Sequence, residues 1–149
     1  MTVERRPDGL RLEMPDWMVG FLSDIPELLA TVGTVDADPA ADRLAVPVYL
    51  DDAEANEDWW RWMGGELAES KAADRSAFTE ILAGAEAGID ISQLEAYAML
   101  RVLTETRLVI AARAGLEIEA DYETLDEHTL AVLNTLALVQ ESLIEALGS

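Results

Sequence analysis

The sequence predicts a mainly all-α fold. It reads as a single-domain orthogonal bundle of four to six helices around a central apolar helix, with a short N-terminal β-hairpin as its only sheet. Three observations carry this expectation. Apolar residues recur at three- and four-residue steps over most of the chain. Two capping boxes, Ser92-Gln93-Leu94-Glu95 and Thr124-Leu125-Asp126-Glu127, mark helix starts. Half of the 149 residues are apolar, and a domain of this size can build a core without disulfides or metal.

Residues 1–13 hold the hairpin: Thr2–Arg6 and Leu10–Leu12 flank Pro7-Asp8-Gly9, a turn-forming triplet, and a two-stranded ribbon needs a helix beneath it. Asp16–Val32 is helical by its spacing of Trp17, Phe21, Leu22, Ile25, Leu28, Leu29 and Val32. Pro26 kinks or splits it, Ser23 or Asp24 caps the second piece, and Gly33 ends it. Residues 33–51 contain Pro39, Pro47 and the run Asp36-Ala37-Asp38. They read as an ordered, irregular connection whose apolar second half packs on the core.

Asp51 or Asp52 caps the next helix, whose early acids Glu54, Glu57 and Asp58 suit the positive end of the helix dipole. It continues through Phe78, Ile81 and Leu82 and stops near Gly84 or Gly88, as one helix or as two parted at Gly64-Gly65. The Ser92 box opens the central helix, which runs to Ala114. Leu94, Tyr97, Ala98, Leu100, Val102, Leu103, Leu108, Val109 and Ile110 surround its axis almost completely. The alternating stretch Glu117–Glu123 is an extended edge or an acidic loop, and the last helix carries Leu130, Leu133, Leu136, Ala137, Leu143, Ile144 and Leu147 on one stripe.

Ten Lys and Arg against thirty Asp and Glu leave a net charge of −20. That field repels phosphate backbones and anionic membranes and attracts basic protein surfaces, so neither direct nucleic-acid binding nor membrane binding is expected. No apolar run follows Met1–Gly9 as a secretory leader would, and no 18 uncharged apolar residues occur in succession. A cytoplasmic location is the expectation.

Cysteine is absent, which excludes disulfides, thiolate nucleophiles and iron–sulfur or zinc–thiolate centres. The single histidine, His128, sits beside Glu127 in a first helical turn. Leu125 occupies the position where a di-metal bundle needs glutamate. Asp36-Ala37-Asp38 begins like a calcium loop but has Ala41 and Pro47 where glycine and glutamate belong. Gly64-Gly65 lacks the spacing and lysine of a phosphate loop. No cofactor, metal or catalytic residue is expected.

Two groups of residues stand out. Trp59, Trp60 and Trp62 crowd one turn, where 59 and 62 share a face and 60 points elsewhere. They are core residues, or one of them, Trp60 first, anchors an interface. Arg107 and Arg113, with Arg101, lie on the most apolar helix and need partners. They form structural ion pairs, or one of them binds an acidic ligand or partner.

Three segments carry a family resemblance: Arg43-Leu44 with Pro47-Val48-Tyr49-Leu50-Asp51-Asp52, then Thr106-Arg107-Leu108-Val109-Ile110-Ala111-Ala112-Arg113, then Leu136 with Val139-Gln140-Glu141-Ser142-Leu143-Ile144. In this order the chain is similar to an actinobacterial domain-of-unknown-function family that includes AosR-type oxidative stress transcriptional regulators. The resemblance spans nearly the whole chain. It implies a cytoplasmic helical protein that regulates transcription through a protein partner such as a sigma factor, with motif arginines at Arg43, Arg107 and Arg113. It implies no catalytic residues. A redox regulator ordinarily senses through thiols, and this chain has none, so a thiol–disulfide switch is not part of the expectation.

The functional expectation is therefore a non-enzymatic interaction protein whose partner has a basic surface. Two alternatives stand beside it. One is a scaffolding homodimer joined through the tryptophan helix. The other is a small-molecule-binding bundle with a carboxylate acid–base pair, which requires a cavity of a few hundred Å³ beside the central helix.

Overall fold

The computed structural model describes residues 1–34, 37–44, 52–115 and 125–149, apart from the side chains of Asn56, Trp59, Trp60 and Trp62. In chain order the elements are β1 (Thr2–Arg6), β2 (Gly9–Glu13), α1 (Asp16–Ser23), α2 (Ile25–Ala30), α3 (Pro39–Leu44), α4 (Ala53–Ala85), β3 (Ile89–Ser92), α5 (Gln93–Arg113) and α6 (Glu127–Leu147). The fold is mainly α, as the periodicity requires, with six helices among the described residues.

The hairpin pairs Arg6 with Gly9 across Pro7-Asp8 and forms two strands of a three-stranded sheet rather than the whole of it. β3 adds to the other side of β2, antiparallel, opposing Leu10 to Ile91 and Leu12 to Ile89. Alternation along β2 buries Leu10 and Leu12 and turns Glu13 outward. Gly9 is required where β2 meets β3, because a Cβ there would collide with the carbonyl oxygen of Ile91.

Pro26 splits the first helical segment into α1 and α2. It stands at the start of α2, where its missing N–H costs nothing, and Asp24 is the boundary residue. Within the expected irregular connection, Pro39–Leu44 is helical; residues 45–51 lie outside the described residues. Asp52 caps α4 by accepting the Ala55 N–H at 3.0 Å. α4 passes Gly64-Gly65 without a break and is 33 residues long, about 50 Å.

Ser92 and Glu95 form the capping box of α5, with reciprocal bonds of 3.1 and 3.0 Å. The cap of α6 is Asp126, which accepts the Thr129 N–H at 2.7 Å, rather than Thr124, which lies outside the described residues together with the Glu117–Glu123 stretch.

α5 is central. It packs against α4, α3, α6, α2 and the sheet, and buries Met99, Val102, Leu103, Thr106 and Val109. One continuous apolar cluster runs from Leu10 to Ala146 and includes Phe78, Ile81, Leu136 and Leu143. α6 has the length and composition to cross a membrane in spite of its acids. Here its stripe of Leu133, Leu136, Val139 and Leu143 is buried, and the helix contacts α5, β1 and β2. Arg5 closes this side by donating to the Leu147 carbonyl at 3.3 Å, a cation placed at the negative end of a helix.

Two glycines make opposite predictions. Gly88 links α4 to β3 at φ +95°, and an added Cβ would lie 2.6 Å from the Arg11 guanidinium. Gly65 is an exposed helical position with open space around it. Gly88→Ala should lower stability by more than about 1 kcal/mol, and Gly65→Ala should raise it by about 0.5–1 kcal/mol. Urea unfolding of both variants checks this.

Candidate functional site

The polar contacts around α5 fall into three groups, each joining it to a different neighbour. At its C-terminal end, Arg113 grips Asp38, donating from Nε at 3.3 Å and from Nη2 at 2.9 Å. Asp38 is a buried carboxylate just ahead of α3. It also accepts the backbone N–H groups of Gly33 at 3.1 Å and Ala40 at 3.0 Å, so it closes the turn after α2 and starts α3 in one step. The Arg113 guanidinium, helped by the Gly33 N–H, holds the Asp38 carboxyl at about 2, below its ordinary 3.8.

The second group faces α6. Arg107 donates to the Gln140 side-chain oxygen at 2.8 Å, and the Gln140 amide donates to Thr104 Oγ1 at 2.8 Å. Gln140 is buried, and both ends of its amide are satisfied: the oxygen accepts from the Arg107 guanidinium and the nitrogen donates to Thr104.

The third group faces α4. Arg101 makes a bidentate contact with Asp74, both bonds 2.8 Å long. Glu105 accepts from Arg75 at 3.0 Å and lies 3.5 Å from Lys71. Arg75 Nε is buried without a hydrogen-bond partner among the described residues, so Arg75 is held by one arm of its guanidinium.

Above this third group lies an open groove of about 450 Å³ between α4 and α5, its lining mainly apolar. Leu67, Leu100 and Leu108 line it with Tyr97, and Leu44 from the end of α3 closes one side. The α5 stripe that borders it is uncovered: Leu94 is 78% exposed, Tyr97 41% and Leu108 38%. The sequence places α5 at the centre with apolar residues on nearly every side; this stripe is the side that no described element covers.

The residues singled out from the sequence do not form one site. Arg113 serves α3 as half of an ion pair. Arg107 serves α6 through a neutral amide, so the ion pair expected there is a hydrogen-bond chain. Arg43 is half-buried in the last turn of α3. Trp59, Trp60 and Trp62 fall in the N-terminal half of α4, and their side chains lie outside the described residues. Leu94, Tyr97 and Leu108 have the spacing of core residues on the central helix, yet the structure leaves them exposed. His128 is exposed, and among the described residues no three His, Asp or Glu side chains converge as metal ligands would.

Asp38 predicts an acid-dependent stability. Its folded carboxyl titrates below its ordinary value, so its contribution is complete above about pH 4 and is lost as pH falls from 3.8 toward 2. Asp38→Asn should be less stable than the native chain by a constant margin from pH 7 to 5, and the margin should close below pH 3.8. Denaturation measured across that range checks it; parallel profiles would count against the assignment.

No curated protein and no solved structure matches the chain. Residues 2–147 match the family model described as "Domain of unknown function (DUF2017)", and the chain belongs to that family.

Proposed function

We propose that this chain is a non-enzymatic regulatory protein of the AosR type, actinobacterial and cytoplasmic, that acts on transcription by docking a protein partner such as a sigma factor. The observation that carries the reading is the apolar groove between α4 and α5, which no described element covers. Tyr97 and Leu108 stand partly exposed at its edge, while most large apolar residues among the described ones are buried. Apolar side chains left open in a concave strip are the usual anchors of protein interfaces. The net charge of −20 supports a partner with a basic surface, whose approach it accelerates. The resemblance of the Arg43, Arg107 and Arg113 segments supports the regulatory assignment.

A small-molecule ligand is the second reading, favoured by the groove's volume and apolar lining. Its acid–base component has no such support. The carboxyls held below their ordinary value are Asp38, paired with Arg113, and Asp126, which caps α6, and neither lines the groove.

The test is transcription in vitro by actinobacterial RNA polymerase carrying each of its sigma factors in turn. The chain should co-elute with at least one sigma factor and change transcript yield from that factor's promoter. Leu108→Glu should weaken the complex about tenfold or more. If no sigma factor binds and no promoter responds, the reading is wrong.

A further inference from the structure

We draw no further inference here: the strongest candidate, the cleft of about 700 Å³ where the hairpin turn brings Arg6 and Arg11 beside the start of α5, carries nothing, because Arg6 already pairs with Glu4 and Arg11 with Asp90, and what remains is a helix N-terminus with no second feature pointing to a ligand.

Discussion

The molecule is organised by one constraint, the burial of α5. A helix with apolar residues on most of its circumference is unstable in water unless several elements cover it at once. α4, α3, α6, α2 and the sheet each take a sector of it. The groove is the remainder of that arrangement. It is a sector that carries Leu94, Tyr97 and Leu108 like the rest, yet has no described element above it. The groove and the core therefore have the same origin, and the groove is the part of the central helix that no described element covers.

Polar contacts decide how the covering elements are oriented. Exposed ion pairs such as Arg101–Asp74 contribute little net stability, but their bidentate geometry fixes where α4 runs relative to α5. Asp38 is a different case. A buried carboxylate is costly unless its oxygens are satisfied, and here two backbone N–H groups and the Arg113 guanidinium share them. Asp38 is thus the polar anchor of the short helix α3, which also packs its buried Ala40 into the core.

Much of this architecture was legible from local chemistry. Asp52 and Ser92 cap where their spacing said they would, Pro26 divides α1 from α2, and Pro7-Asp8 turns the hairpin. What escaped depends on distant partners. β3 is four residues long and runs straight into a capping box, so nothing in Ile89-Asp90-Ile91 announces a strand until β2 lies beside it. Asp38 is separated from Arg113 by 75 positions, and read alone its segment resembled a failed calcium loop. Periodicity marked the whole circumference of α5 as apolar but could not say which sector would stay open, because that depends on where α4 and α6 dock. Membership of a domain-of-unknown-function family was legible in three ordered segments, two of which bear contacts that set helix positions: Arg107 and Arg113 on α5, and Gln140 on α6.

Ser92 ends β3 and caps α5, so no linker separates the third strand from the central helix. The sheet therefore cannot be completed without delivering α5 in the same movement. Roughly 75 residues separate Glu13 from Ile89, and a loop of that length closes only against a substantial entropy cost. Strand pairing and placement of the central helix are thus mechanically one event, and whatever loosens the β2–β3 pairing also frees the start of α5.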